Sequence, residues 1–162
     1  MVQLRPVGPD DWRLWRGLRL AALAEAPEAF SSRLEDWRGP GDREERWRAR
    51  LSTPGHHVLA MEGDRGIGMA SGVLTGQPGA VELISMWVEP SARGRGIGSA
   101  LLSEVRRWAE SVGARVLQLD VTHGNTAALN LYEGYGFRSD GSPARRMPDG
   151  VRTEHTMVLP LR

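Results

Sequence analysis

The sequence predicts a single-domain α/β protein whose mixed central β-sheet of about seven strands is flanked by helices. Two observations carry this prediction. Apolar segments between residues 57 and 88 are joined by short turns, which is typical of antiparallel strands. A helical segment then connects the strand at 81–88 to another at 116–121, and such a crossover makes those two strands parallel. With 162 residues, 40% of them hydrophobic, the chain is long enough for one core, and we expect one domain over residues 1–162.

The amino-terminal part is predicted to begin with an edge strand at residues 2–6 and to continue as a helix. Asp10 and Asp11 favour the first turn of that helix because acidic side chains stabilise its positive end. Its apolar residues recur every three or four positions: Trp12, Trp15, Leu18, Ala22 and Ala26. Pro27 interrupts this pattern.

Three apolar residues after Pro27, namely Phe30, Leu34 and Trp37, predict a further helical turn or two. Glycine and proline at 39–41 then break the chain, and a charged helix is predicted over residues 42–51, with Trp47 and Leu51 facing inward. Apolar periodicity is chiefly a sign of burial, so core packing is the favoured interpretation of these aromatic residues.

The middle of the chain predicts three sequential antiparallel strands, at 57–62, 67–75 and 81–88, with turns at 63–66 and 77–79. The third is the central strand, and Pro90 ends it because proline cannot donate to a ladder. The helix that follows starts within a glycine-rich stretch. Its predicted buried face carries Ile97, Leu101, Val105, Trp108 and Val112.

The carboxyl-terminal part predicts a strand at 116–121 and then a short helix from Asn125 to about Tyr132, which Gly136 ends. Two last strands are predicted at 137–140 and 151–159. A loop rich in proline, glycine and arginine, residues 141–150, joins them.

The junction between the central strand and its helix predicts an anion-binding site. Gly94, Gly96 and Gly98 alternate with Arg93 and Arg95 at the start of the helix. A helix N-terminus has unpaired backbone N–H groups and a positive dipole end, and glycines let a bulky anion approach those donors. We therefore predict a phosphate cradle here, although a lone Gly-x-Gly would indicate only a tight turn.

Two common phosphate motifs do not fit this stretch. The spacing is not Gly-x-Gly-x-x-Gly, and no Gly-Lys-Ser or Gly-Lys-Thr follows, so neither a dinucleotide fingerprint nor a nucleoside-triphosphate loop is met. The pattern Arg93-x-x-Gly96-x-Gly98 instead resembles the pyrophosphate loop of the bacterial Gcn5-related N-acetyltransferases, the GNAT superfamily. Asn125-x-x-Ala128-x-x-Leu131-Tyr132 and Gly136-Phe137 add to the resemblance, whose motifs cover about 81–137.

The resemblance implies the acyl-CoA N-acyltransferase fold and an enzyme that moves an acetyl group from acetyl-CoA to an amine. The central strand would splay from its parallel neighbour, bind the pantetheine arm through the main chain of Met86 and Val88, and polarise the thioester through an N–H near Trp87 or Val88. The cofactor-binding residues that we expect are Met86, Trp87, Val88, Arg93, Gly94, Arg95, Gly96, Ile97, Gly98, Ser99 and Asn125. Asn125 is equally plausible as a helix cap.

The catalytic candidates are Tyr132, Glu82 and Asp120. Tyr132 matches the tyrosine of the family motif, and a phenol with a pKa near ~10 can protonate a departing thiolate. The base is open: Glu82, Asp120 or a water chain would serve, and His123 is a weaker candidate. Without cysteine or a Gly-x-Ser-x-Gly motif, direct transfer in a ternary complex is favoured over an acyl-enzyme.

The acceptor is almost undefined by the sequence. A small-molecule amine is the first choice, and a protein N-terminus or lysine side chain is the second. In the family the amino-terminal region covers the acceptor side, so some of Phe30, Trp37 and Trp47 could line a substrate pocket, and Trp87 could wall it or pack in the core. The arginines of the 141–150 loop could meet an acidic substrate, although a solvated basic loop is favoured.

Composition argues against several other classes. The chain has no cysteine, and its His, Asp and Glu residues lack metal-ligand spacing, so we expect no metal; His56 and His57 would point to opposite faces of a strand. A net charge of +1 argues against nucleic-acid binding. No signal pattern or long apolar run is present, so a cytoplasmic protein without a membrane segment is expected. A non-catalytic acyl-CoA sensor and a homodimer both remain possible outcomes.

Overall fold

Eight β-strands and four α-helices make up the computed structural model, which describes all 162 residues. The strands are β1 Val2–Val7, β2 Gly55–Glu62, β3 Arg65–Leu74, β4 Ala80–Val88, β5 Val116–Thr122, β6 Arg138–Ser139, β7 Arg145–Arg146 and β8 Thr153–Pro160. The helices are α1 Trp12–Glu25, α2 Glu44–Ser52, α3 Ile97–Ser111 and α4 Thr126–Tyr135. The strand and helix order agrees with the sequence prediction, including the start of α3 within the glycines.

All eight strands belong to one sheet in the order β1-β2-β3-β4-β5-β8-β6, with β7 paired to β8. The pair β4–β5 is parallel, and every other pair is antiparallel. The predicted mixed sheet, the edge strand at the amino end and the central position of β4 are therefore confirmed. The parallel pair follows from the crossover through α3.

Two hydrophobic cores cover the two faces of the sheet. Side chains of α3 and α4 pack on one face, whereas α1 and α2 pack on the other. Strand β2 shows the division, since Val58 belongs to the first core and Leu59 to the second. Trp47 and Leu51 are buried in the second core, as predicted.

Side chains of helix α3 pack directly on the glycines of β3 where the two elements meet. A Cβ atom on Gly72 would lie 2.8 Å from Cγ1 of Val105, and one on Gly68 would lie 3.2 Å from Cδ1 of Leu101. These separations are too short or too tight for a side chain. The glycines therefore fix the position of α3, and with it the position of the glycine-rich loop before the helix.

The further helical turns predicted after Pro27 are present as short 3₁₀ turns, at 27–29, 34–37 and 39–41. Two other predictions about local structure need correction. Val112 is 50% exposed because α3 ends at Ser111 and Val112 is only its C-cap. The predicted loop at 141–150 contains the two-residue strand β7, which brings the sheet to eight strands. None of the four helices combines the length and the hydropathy needed to cross a bilayer.

Candidate active site

The two parallel strands at the centre of the sheet separate after a short paired stretch. Their ladder joins residues 80–82 to residues 116–118 and ends at the Glu82–Gln118 pair. Beyond this pair, β4 and β5 diverge toward their carboxyl ends. The splay that the family resemblance implied is thus confirmed, and it opens a gap in the middle of the sheet.

Ser85 produces a bulge in β4 just beyond the last paired residue. Its φ is 56°, in the left-handed region that side chains other than glycine rarely adopt. The register of β4 against β3 shifts here, because Met69 pairs with Trp87 whereas Ser71 pairs with Ile84. The bulge therefore places one extra residue in β4, as such irregularities do near functional sites.

A buried arginine supports this strained residue. Nη2 of Arg50 donates to Oγ of Ser85 over 3.1 Å and to Oγ of Ser71 over 3.2 Å. Arg50 thus reaches from α2 across the sheet to the bulge. The bulge could not be predicted from the sequence, since no glycine lies in β4.

The segment between β4 and α3 presents a row of free backbone donors. From Gly94 to Ser99, no backbone N–H donates a hydrogen bond within the protein; the first helical donor is Ala100 N, which bonds to Gly96 O. Gly94 and Gly96 have φ values of 78° and 80°, and a Cβ on either would meet no atom within 4 Å. Together with the dipole of the α3 helix, these donors form the predicted anion cradle.

A large cavity of about 680 Å³ extends from this cradle to the splay. Of the predicted cofactor-binding residues, those that line it are Met86, Trp87, Val88, Arg93, Gly94, Gly96, Ile97, Gly98, Ser99 and Asn125. Arg95 does not, because its guanidinium points away and pairs with Glu62 over 2.7 Å.

The remaining arginine of the cradle is held in place by the protein. The Arg93 guanidinium pairs with the Glu25 carboxylate at the end of α1, and its Nε donates to the carbonyl of Val88 over 3.0 Å. The Trp87 indole packs in the α1 core and lies 3.4 Å from the same carboxylate. Trp87 is thus a core residue, and Glu25 joins α1 to the rim of the large cavity.

Tyr132 lies where the large cavity narrows into the gap between β4 and β5. A passage of about 80 Å³ in that gap is lined by Ser85, Asp120 and Tyr132, among others. The ring of Tyr132 is buried, 5.9 Å from that of Phe137, and its hydroxyl makes no hydrogen bond within the protein. Burial raises the pKa of this phenol above its ordinary value of 10.0, so the hydroxyl stays a proton donor at neutral pH.

Asn125 caps α4, because its Oδ1 accepts from Ala128 N over 3.3 Å. It also lines the large cavity and the passage.

A small cavity of about 230 Å³ lies on the other side of the gap. It is lined by the carboxylates of Glu82, Asp120 and Glu154, by Arg19 and Arg50, and by Phe30. Ala29 and Phe30 line all three spaces, so the large cavity, the passage and the small cavity meet at this segment. Arg152 fixes this segment by donating to the carbonyls of Pro27, over 2.8 Å, and Phe30, over 3.1 Å.

The two predicted carboxylates differ in their surroundings. Glu82 is half-buried, and burial, together with the charges of Asp120 and Glu154, raises its pKa above the ordinary 4.5. Asp120 is instead occupied, because Oδ1 accepts from Arg145 over 2.9 Å and from Thr156 over 2.7 Å. Glu82 and Asp120 line the small cavity, and Asp120 and Tyr132 line the passage, so Asp120 borders both spaces. Glu82 is the carboxylate without a hydrogen-bond or ion-pair partner.

Several other predicted positions lie elsewhere. His123 is exposed, bonds to Thr153 over 2.9 Å and lines none of the three spaces. The rings of Trp37 and Trp47 pack against each other with their centroids 4.6 Å apart, and neither residue lines any of the three spaces. Arg145 is not a freely solvated loop residue, because it pairs with Asp120.

Arg19 and Arg50 were not predicted from the sequence. A signal for Arg19 exists, since it lies four residues after Trp15 and four before Leu23 and hence on the apolar stripe of α1. Arg50 likewise follows Trp47 by three residues. A charged residue at a position that the helix buries is informative in itself.

His56 and His57 point to opposite faces of the sheet, toward Glu104 and Thr53 respectively. No group of three or more His, Asp or Glu side chains is placed to hold a metal ion.

The sequence model described as the acetyltransferase (GNAT) family matches residues 20–137. A mycothiol acetyltransferase from Renibacterium salmoninarum is 28% identical over 141 residues, which cover 84% of this chain and 40% of that protein. N-alpha-acetyltransferase RimI from Mycobacterium tuberculosis is 36% identical over 94 residues, 56% of this chain and 58% of that protein. The chain spans less than half the length of the mycothiol acetyltransferases that it matches.

Solved structures agree over the whole chain. A GCN5-related N-acetyltransferase from Kribbella flavida superposes with a TM-score of 0.76 at 26% identity, covering 99% of this chain and 98% of that one. The protein yncA from Salmonella typhimurium, solved with its cofactor acetyl-CoA, gives a TM-score of 0.78 at 20% identity, covering 100% and 95%. These superpositions establish a shared fold.

Proposed function

This chain belongs to the acetyltransferase (GNAT) family, and we propose that it transfers an acetyl group from acetyl-CoA directly to a primary amine of a small molecule. One observation carries the proposal: six consecutive backbone N–H groups, 94–99, are free at one end of the large cavity, and a buried tyrosine lies at its other end. We propose that residues 1–162 are one N-acetyltransferase domain. A cytoplasmic location and a homodimer remain predictions.

The large cavity suits a molecule with a diphosphate and a long neutral arm. Its free N–H donors and Arg93 would hold the diphosphate, because an anion at a helix N-terminus is stabilised by both the donors and the dipole. Apolar side chains, Met86 and Leu131 among them, lead from there toward the splay. Acetyl-CoA would supply the activated acetyl group as a thioester. Asn125 could contact the arm as well as cap its helix.

The gap between β4 and β5 is where we place the acetyl transfer, and the residues beside it would handle the protons. The amine nitrogen bonds to the acetyl carbon while the carbon–sulfur bond breaks, so one proton must leave nitrogen and one must reach sulfur. Tyr132 would donate its phenolic proton to the sulfur. A main-chain N–H near Trp87 or Val88 would stabilise the negative charge on the carbonyl oxygen.

Glu82 is the favoured base because its carboxylate has no hydrogen-bond partner in the protein and is half-buried in the small cavity. It would take the amine proton, directly or through a water chain. Asp120 is less suited, since Arg145 and Thr156 already donate to its Oδ1. We propose that Asp120 instead adds negative charge beside Glu82 and so raises its proton affinity.

Thiol release with acetyl-CoA and a panel of amines tests the activity. We expect acceptor-dependent release, and we expect double-reciprocal lines that intersect, because acetyl-CoA and amine must be bound together. Parallel lines would contradict direct transfer. Binding of acetyl-CoA without release by any small amine, peptide N-terminus or lysine peptide would favour a non-catalytic acyl-CoA sensor.

Changing Glu82 to glutamine should lower kcat/KM about 100-fold and abolish its rise with pH, since general base catalysis contributes roughly that much. Glu82 also affects stability. Because its pKa is raised in the folded protein, the Glu82 carboxyl binds its proton more tightly in the native state than in the unfolded state. The contribution of the protonated Glu82 to stability is therefore present at low pH and is lost as pH rises from 4.5 through the folded pKa. Glu82→Gln should thus raise the melting temperature at pH 8 but not at pH 4.

Glu154→Gln is the matched control, because burial and Asp120 also raise the pKa of Glu154. It should raise the melting temperature in the same way while keeping the maximal rate. It should also move the acid limb of the profile to lower pH, since a negative charge beside Glu82 is lost. If Glu82→Gln kept the wild-type pH profile, Glu82 would not be the base.

A further inference from the structure

Arg19 is a buried cation with no negative partner. The residue is 8% exposed and forms no ion pair, and Nη1 is sealed from water without a hydrogen-bond acceptor. The guanidinium stacks 4.6 Å over the ring of Phe30 and lines the small cavity. An uncompensated buried charge destabilises a fold, so its presence needs an explanation outside the protein's own contacts.

Arg50 adds a second positive charge at the same cavity. Its hydrogen bonds go to the neutral side chains of Ser71, Ser85 and His57, and it forms no ion pair. Burial and the charge of Arg50 lower the pKa of His57, which favours the neutral imidazole, whereas the contact of Nε2 with the Thr53 carbonyl opposes this shift. Burial lowers the pKa of Arg19 and of Arg50 to about 10, and the charge of Arg50 adds to the effect on Arg19.

The opposite charge lies elsewhere in the same cavity. Glu82, Asp120 and Glu154 line it, and Arg145 is the cation paired with them, 2.9 Å from Asp120 and 3.8 Å from Glu154. No ion pair connects these carboxylates to Arg19 or Arg50. The cavity therefore has a positive part near α1 and α2 and a negative part at Glu82.

We propose that the acceptor is an amino acid, whose carboxylate binds Arg19 and Arg50 while its amine lies at Glu82. This inference rests on the proposed function and specifies its substrate class. A carboxylate would supply the missing counter-charge, and guanidinium groups are well shaped to bind it. Ser31 and Ser32 also line the cavity, and their hydroxyls would be further donors to the same group. A volume of about 230 Å³ is that of a small solute, below the ~300–1,000 Å³ of drug-sized pockets.

A purely structural role explains Arg50 better than Arg19. Arg50 supports the bulge through Ser85, which accounts for its position without a ligand. Arg19 has a stacking contact but no counter-charge within the protein, and a methionine would stack there without that penalty. Arg19 is therefore the more direct test.

The first experiment compares each standard L-amino acid with its carboxamide as acceptor, because the amide keeps the size and the amine but loses the negative charge. At least one acid should exceed its amide by about 30-fold or more in kcat/KM, the size of a lost charge-assisted hydrogen bond. Equal rates for acids and amides, or turnover of amines alone, would overturn the inference.

The second experiment uses Arg19→Met. We expect a KM for the preferred acid at least about 30-fold higher, an almost unchanged KM for acetyl-CoA, and a raised melting temperature because a buried charge is removed. Arg13→Met is the matched control, since Arg13 lies on the same helix, is exposed and stacks 4.7 Å from the Trp12 ring. A structural role for Arg19 would lower the melting temperature and leave the preference for acids intact, which would contradict the proposal.

Failure of the transferase proposal is separable from failure of this inference. If no acceptor gave thiol release, thermal shifts with the same acids and amides would still report binding. The carboxylate site would be supported if an acid stabilised the wild-type protein, its amide did not, and Arg19→Met abolished the effect. No stabilisation by any acid would refute it.

Discussion

Changing Tyr132 to phenylalanine is expected to lower kcat about 100- to 1,000-fold, while the Kd for acetyl-CoA changes less than about threefold. The phenol is buried, has no hydrogen-bond partner in the protein and faces the gap where the thioester would lie. Without its proton, the leaving sulfur must depart as a thiolate. Phenylalanine keeps the ring contact with Phe137, so the fold should not suffer.

Tyr135→Phe provides the matched control. Tyr135 is on the same helix as Tyr132 but lines none of the three cavities. Its hydroxyl lies 2.9 Å from Oγ of Ser103. The same atom is removed, and only a local hydrogen bond is lost, so turnover should stay near wild type. Thiol release measures turnover, and calorimetry measures acetyl-CoA affinity. If the two variants behaved alike, Tyr132 would have no part in proton transfer.

Gly96→Val is expected to weaken acetyl-CoA binding at least about 100-fold, because the cradle depends on the backbone conformation of its glycines. Gly96 caps α3 with a φ of 80°, and a β-branched side chain is strained there. Relaxing that strain would rotate the neighbouring N–H groups away from a common point. The side chain would also stand in the open space that the anion needs.

Gly113→Val separates backbone strain from loss of the cradle. Gly113 follows the other end of the same helix, has a φ of 81° and likewise has no atom within 4 Å of a Cβ. Both variants should lose about 1–2 kcal/mol of unfolding free energy, the usual cost of a left-handed conformation. Only Gly96→Val should lose affinity in calorimetry. Wild-type affinity in Gly96→Val would remove this loop from the cofactor site.

Much of the fold could be predicted from local patterns. Alternating and helical periodicities placed β1 to β5 and α1 to α4, because those periodicities directly reflect which side of an element is buried. The predictions were less accurate at the ends of elements. Val112 continues the apolar spacing of α3 but lies past the last helical residue. The strand β7 was missed because two residues carry no periodicity, and pairing with β8 defines it.

The candidate site divides in a similar way. Ten of the residues expected around the cofactor lie on one continuous strand, loop and helix, 86–99, and proximity in sequence brings nine of them to the large cavity. Arg95 is the exception, since its guanidinium pairs with Glu62 instead. Arg19 and Arg50 were missed although both lie on the apolar faces of their helices, because spacing shows that a side chain faces inward but not which cavity it lines.

The sequence alone determined the sheet class, the glycine-opened helix end and the tyrosine beyond it, because each depends on short-range spacing and backbone freedom. Only the tertiary structure decided which charges meet across the gap between β4 and β5. Residues from α1, α2, β4, β5 and β8 line the small cavity, and their contacts are set by packing and by the Ser85 bulge. Whether a charged side chain has an ion-pair partner depends on residues that are far apart in the chain. The interaction energy between two charges is larger in a buried, low-dielectric space than in water, so the lack of a partner matters most there.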